Sequence, residues 1–213
     1  MMQEIKRVLV VGATGAVGQE IVKALQQQAQ ITEIIVITRR AFTAQSAKIR
    51  NYIVDFDALD QHADYFNCDA VFCALGSTRQ QAGSDANYIK IDHDYPLKIA
   101  QLAKQQGAQH FLMVSAYGAY THSHFFYNRV KGQVEQALIA LHFPQLTIIR
   151  PSILIRHRDD GRLVEKITAG IARYFPKQWR AVESQTVAAA LVNALIQPQT
   201  PGLSIIENQH LFS

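Results

Sequence analysis

The sequence predicts an α/β fold: one domain built on a doubly wound parallel sheet, with helices on both faces and a small cap on the substrate side near the C-terminus. Three observations predict it. Short β-rich runs recur along the chain with helical patterns between most of them, the mark of a parallel sheet covered on both sides. A glycine-rich turn joins the first run to the first helical pattern. No internal repeat, low-complexity tract or evident linker divides the 213 residues, and 48% apolar content is ample for a core, so residues 1–213 are read as a single domain.

The first run, residues 8–11, leads directly into Gly12-Ala13-Thr14-Gly15-Ala16-Val17-Gly18. A helix over residues 19–28 follows, with Ile21, Val22 and Leu25 spaced for one buried face. The three glycines lie three residues apart. One can turn the chain sharply, one lets backbone approach a phosphate, and one lets the helix press on the strand. The free N–H groups of that helix, with the positive end of its dipole, form an anion site that needs no basic side chain. Such a turn can join any strand to any helix; the strand before it and the amphipathic helix after it favour a dinucleotide pyrophosphate.

The second run, residues 34–38, ends in Thr38-Arg39-Arg40. A free ribose 2′-hydroxyl is usually met here by Asp or Glu, whereas guanidinium groups make charge-assisted bonds to a 2′-phosphate. NADP(H) is therefore preferred over NAD(H), the alternative being two solvated cations at a strand end. The third run, residues 49–54, precedes Asp55-Phe56, which either holds the adenine edge or is a loop carboxylate beside a core phenylalanine. The fourth run, residues 70–75, contains Cys73; with Cys68 it lacks the paired spacing of a zinc site, and both read as ordinary thiols. Residues 87–106 read as a long helix that Pro96 kinks or restarts and Gly107 terminates.

The fifth run, residues 110–115, ends in Ser115, and residues 126–141 form the next helix, with Val130, Val134, Ala137, Leu138 and Leu141 at helical spacing. A sixth run, residues 146–150, closes the clear alternation at Arg150-Pro151. Beyond it come a charged loop at 156–162, a helix at 163–175 with an apolar stripe of Ile167, Ile171, Tyr174 and Phe175, a second helix at 186–196 and a last strand at 204–207. Residues 151–213 are read as including a cap region on the substrate side, not independently folding.

The net charge of +4 is mild and spread over the chain, which argues against a nucleic-acid partner. No stretch approaches the roughly 18–20 apolar residues of a membrane span, and the expectation is a soluble cytoplasmic protein, monomeric or homodimeric, acting on a small-molecule substrate. His122 and His124 flank Ser123 with no third ligand spaced to complete a metal site, so none is expected.

Tyr127 and Lys131 stand four residues apart on the predicted helix and so share one face. A phenol titrates near pH ~10 when unperturbed, and an adjacent ammonium favours its phenolate, which brings it closer to use as an acid or base. Lys131 could also bond a ribose. Ser115, at the strand end, is placed to hold a substrate oxygen toward the phenol.

With these residues in view, the chain resembles the short-chain dehydrogenase/reductase superfamily through Tyr127-Asn128-Arg129-Val130-Lys131. Cys73 to Arg79, Ile91 to Tyr95, Ser115-Ala116-Tyr117-Gly118-Ala119, Phe126 to Glu135 and Arg150-Pro151 are similar to the atypical branch that contains the Tat-interacting oxidoreductase-like proteins. The resemblance runs from about Val8 to Ile155. It implies a Rossmann fold binding NADP(H), with Gly12, Thr14, Gly15, Val17, Arg39, Arg40, Leu75, Gly76 and Lys131 near the cofactor and Ser115, Tyr127 and Lys131 as a triad. One position departs from the superfamily: Asp92 stands where many members have an asparagine. The expected activity is hydride transfer between nicotinamide and a small carbonyl or alcohol, with Tyr127 exchanging the proton. The alternatives are a regulatory or redox-sensing NADP(H)-binding protein and a nucleotide-sugar epimerase, which uses the same residue types.

Overall fold

The computed structural model describes residues 5–42, 46–155, 176–197 and 200–212. Seven strands form one wholly parallel sheet. In chain order they are β1 (Arg7–Val11), β2 (Glu33–Thr38), β3 (Ile49–Ile53), β4 (Ala70–Cys73), β5 (His110–Val114), β6 (Gln145–Arg150) and, last in the chain, β9 (Gly202–Glu207). Their spatial order is β3-β2-β1-β4-β5-β6-β9. The chain therefore starts in the middle, winds outward one way through β3, crosses back, and winds the other way from β4.

Alternation of side chains along each strand feeds two cores. Val8 and Val10 of β1, Ile34 and Val36 of β2, and Phe72 of β4 join Ile21, Val22 and Leu25 of α1 (Ala16–Gln26) and Val187, Leu191 and Leu195 of α6 (Ser184–Ile196). Leu9 and Val11, Ile35 and Ile37, and Phe111 and Met113 meet α4 (Tyr95–Gln105), α5 (Phe126–Ile139) and a 3-10 segment, Phe56–Phe66, on the opposite face. Strands buried on both sides read as continuous apolar runs, which is how this sheet was written in the sequence.

The predicted helix at 87–106 is present with an internal change of winding. Its first part is α3 (Asp85–Ile89), capped by Ser84, whose hydroxyl accepts from Asn87 N; a π-turn, Lys90–Asp94, follows, and α4 continues from Tyr95 with Pro96 in its first turn. Pro96 thus sits where α-winding resumes. Gly107 ends the helix at φ +95°, with Ala108 N–H donating to the Ala103 carbonyl. A short helix, α2 (Arg79–Ala82), opened by a Thr78–Gln81 capping box, has no counterpart in the sequence reading.

Part of the region after Pro151 belongs to the sheet and its helical layers. Helix α6 lies against α1, and β9 pairs with β6 from Gln145↔Gly202 to Arg150↔Glu207, so α6 and β9 complete the sheet and one helical layer. The reason is compositional: the Ala, Val and Leu of α6 supply an apolar face that α1 needs to cover. Among the described residues, what stands outside the sheet ends is a two-stranded parallel ladder, β7 (Leu154–Ile155) with β8 (Val182–Glu183), and the turn before β8. Fully buried Asn208 fixes that turn. Its amide donates to the carbonyls of Lys177 and Arg180 and its oxygen accepts from Ser152 N. The turn carries Trp179, whose indole N–H donates to Tyr117 Oη at 3.0 Å. The predicted charged loop at 156–162 and helix at 163–175 lie outside the described residues.

Candidate active site

The site forms where the winding reverses, between β1 and β4. Gly12, at φ +88°, turns the chain out of β1, and a Cβ there would lie 2.5 Å from the Ala74 carbonyl carbon, so the loop after β1 touches the loop after β4. A Cβ on Gly18 would lie 2.1 Å from Gly12 O; only glycine lets α1 come this close to the turn beneath it. Gly15 is different. Its φ is −81° and a Cβ would meet nothing nearer than Gly12 O at 3.2 Å, so neither backbone angle nor crowding dictates glycine. Its lack of a side chain leaves the start of α1 uncovered. No side chain caps that helix and no acid occupies its first turn, leaving Ala16, Val17 and Gly18 N–H as donors for an anion, with Thr14 exposed beside them. This cradle fits a dinucleotide diphosphate.

Across the switch point, Leu75 is half-buried against the core and Gly76 is exposed. Behind them Asp92, fully buried in the π-turn, accepts from Ser77 N through Oδ2 at 2.9 Å and places Oδ1 2.8 Å from Lys131 Nζ. Lys131 is itself only 3% exposed. Burial works against its charge, but the carboxylate of Asp92 and then the phenol of Tyr127 more than offset this, holding the ammonium above the ordinary lysine range. Tyr127, one turn earlier on α5, is 43% exposed. Tyr88 of α3, fully buried, has its ring centroid 6.1 Å from that of Tyr127; burial and then Asp92 push its phenol up.

The approach of α5 to this point is built in. A Cβ on Gly132 would overlap the Tyr120 carbonyl carbon at 2.3 Å, so the helix and the loop before it meet backbone to backbone. Asn128 then stitches them: its amide donates to the Gly118 carbonyl at 2.9 Å, and its own carbonyl accepts from Tyr120 N at 3.0 Å. Tyr127 and Lys131 are thereby fixed relative to the sheet ends. Neither Gly132 nor Asn128 was singled out from the sequence, although Gly132 in mid-helix is a visible sign of close approach.

Ser115 has a partner of its own. Buried at the end of β5, its hydroxyl donates to Glu135, which also receives both Arg150 Nε at 3.1 Å and an Arg150 terminal nitrogen at 2.5 Å. Glu135 is two turns beyond Tyr127, about 12 Å along the helix axis. The structure pairs Lys131 with Asp92 one helical turn from Tyr127, and bonds Ser115 to Glu135, which in turn holds Arg150. Of the remaining sequence candidates, Arg39 and Arg40 are exposed beyond β2. Asp55 caps the 3-10 segment, accepting from Asp57 N, while Phe56 is buried edge-on to Tyr95. Cys68 and Cys73 are both buried and reduced; burial pushes their thiols up to about 12 and about 11. Among the described residues no helix is long and apolar enough to cross a membrane.

Comparison with known proteins follows the same lines. The chain is 35% identical to Protein HTATIP2 of Rattus norvegicus over 211 residues, covering 96% of this chain and 87% of that one. It is 35% identical to Protein FMP52-1, mitochondrial, of Scheffersomyces stipitis over 176 residues, covering 78% and 75% of the two chains. In three dimensions it is similar to MoeE5 in complex with UDP-glucuronic acid and NAD, with a TM-score of 0.73 and 16% identity over 94% of this chain and 76% of that one, a likeness of fold. The expectation of a cytoplasmic protein is corrected by these comparisons, because several fungal relatives are named mitochondrial. A family model described as NAD(P)H-binding matches residues 12–198, beginning at the first glycine of the loop, and the chain belongs to that NAD(P)H-binding family.

Proposed function

We propose that this protein is an NADP(H)-dependent oxidoreductase of a small carbonyl or alcohol substrate, with Tyr127 as proton donor and acceptor. One observation carries the reading: a 43% exposed phenol stands one helical turn from a buried, ion-paired lysine, beside a glycine loop shaped for a diphosphate. When bound, the nicotinamide supplies the hydride for the carbonyl carbon. Tyr127 gives its phenolic proton to the oxygen that gains charge as the carbonyl is reduced, and takes a proton from the hydroxyl in the reverse direction. Lys131 would hold the cofactor ribose, and Arg39 and Arg40 would meet the 2′-phosphate that distinguishes NADP(H). Ser115 would donate to a carbonyl oxygen only by exchanging its bond to Glu135.

That last requirement supports a second reading, an NADP(H)-binding regulatory protein with little catalysis. A panel of aldehydes and ketones, followed by loss of NADPH absorbance, separates the two. The first reading expects turnover that falls 100-fold or more in Tyr127→Phe, with NADPH affinity retained; the magnitude is the ordinary contribution of a positioned acid, about 10²–10⁴. Turnover unchanged in Tyr127→Phe removes the tyrosine from this role. Absence of turnover across the panel favours regulation.

A further inference from the structure

We propose that Asp92 sets the charge of the site: it anchors the Lys131 ammonium beneath Tyr127 and, as its counter-ion, favours the neutral phenol that donates a proton to a carbonyl oxygen. The directional part rests on the oxidoreductase reading above; the electrostatic part does not.

The argument begins with what faces the pair. From α3 comes the Tyr88 phenol, from α5 Tyr127, from β4 the Cys73 thiol, and from the loop after β4 the Ser77 N–H. None of these is a second cation, and with Cys73 and Tyr88 pushed up by burial neither supplies a second anion near neutral pH. Among the described residues, the buried charges at this point are then one ammonium and one carboxylate, 2.8 Å apart with 3% and 0% exposure. A phenol beside an unpaired ammonium is drawn toward the phenolate; beside a balanced ion pair most of that pull is cancelled. An asparagine in place of Asp92 would leave Lys131 to act on Tyr127 alone.

Asp92 also has a mechanical part. Its second oxygen holds Ser77 N at 2.9 Å, and a Cβ on the neighbouring Gly76 would lie 3.7 Å from its first oxygen. One side chain thus ties the π-turn, the loop after β4 and the α5 lysine. A π-turn offsets the helix by one residue and re-aims what it carries, and Asp92 is carried inward at the place where this one occurs. Because it acts through Lys131, Asp92 is a positioning residue.

The test is the titration of Tyr127 in the cofactor-free protein, read as phenolate absorbance in the difference between each protein and its Tyr127→Phe counterpart. Asp92→Asn is close in shape and keeps an oxygen for Ser77 N. The proposal expects the Tyr127 midpoint to move down by about one pH unit or more in Asp92→Asn. No movement, or movement upward, overturns it. Should that variant fail to fold, nitrogen-15 NMR of the lysine ammonium groups in the unaltered protein serves instead: one slowly exchanging ammonium should keep its charge above the pH where exposed lysines titrate, and a buried lysine that loses its charge first overturns the proposal. Neither readout uses turnover. A downward shift with no activity on any carbonyl would retain the charge-setting role of Asp92 and reject the oxidoreductase reading.

Discussion

Single side chains placed inside this sheet carry polar groups that water no longer solvates, and each makes stability depend on conditions in a calculable way. His110, buried at the start of β5, has Nε2 2.8 Å from Thr147 Oγ1, and burial holds its pKa down, to about 4. The unfolded chain binds a proton near pH 6.5, so between about 6.5 and about 4 the unfolded state takes up more protons than the folded one. Stability is therefore fully present above that window and is lost as pH falls through it, at up to about 1.4 kcal/mol per pH unit from this residue. Thermal melts of the natural chain and His110→Gln across pH 4–7 should converge toward low pH; parallel curves would contradict the assignment. At this scale the sequence was most legible where backbone demands a residue type. Gly12 and Gly18 could be placed because a turn and a close approach leave no room for Cβ. Asp92 was visible only as a departure from the superfamily the sequence resembles, because its partners, Ser77 and Lys131, lie 15 and 39 residues away.

Elements are joined by polar side chains as well as by apolar faces. Arg150, at the end of β6, bonds Glu135 of α5 and Glu207 of β9, whose oxygen lies at 2.8 Å, and so ties α5 to β6 and β9. Glu135 is 3% exposed, and removing the guanidinium would leave it, among the described residues, with the Ser115 hydroxyl. We expect Arg150→Met to lose about 3 kcal/mol, the usual cost of a buried carboxylate deprived of its partner, seen as a fall in Tm of roughly 6–12 °C. Adding Glu135→Gln should restore part of that loss; a double variant no better than the single one would show that the ion pair is not what the arginine supplies. Strands and helices were legible to within a few residues because two-sided burial and one-sided burial leave different periods in the sequence. The π-turn was not, since the residues of α3 and α4 read as one helix and the offset of a single residue leaves no compositional trace.

The molecule as a whole places its site by topology. A chain that begins in the centre of a parallel sheet must reverse direction, and loops from two neighbouring strands then part to leave a crevice at their carboxyl ends. Here those loops carry Gly12 to Gly18 and Ala74 to Ser77, with α5 bringing Tyr127 and Lys131 to the same end. Strand–helix alternation made this architecture readable before any contact was known. The C-terminal third was read less well, because an Ala-, Val- and Leu-rich helix gives no sign of which surface it covers, and only its proximity to α1 shows that it belongs to the sheet.

The central claim is that the start of α1 binds the diphosphate of NADP(H), with Arg39 and Arg40 choosing the phosphorylated form. Isothermal calorimetry of the purified chain measures this directly. NADPH should bind at one site and at least about 10-fold more tightly than NADH, since charge-assisted bonds to phosphate contribute about 1.5–3 kcal/mol, and Arg39→Ala with Arg40→Ala should erase the difference. Absence of binding heat with both nucleotides, reduced and oxidised alike, would contradict the account.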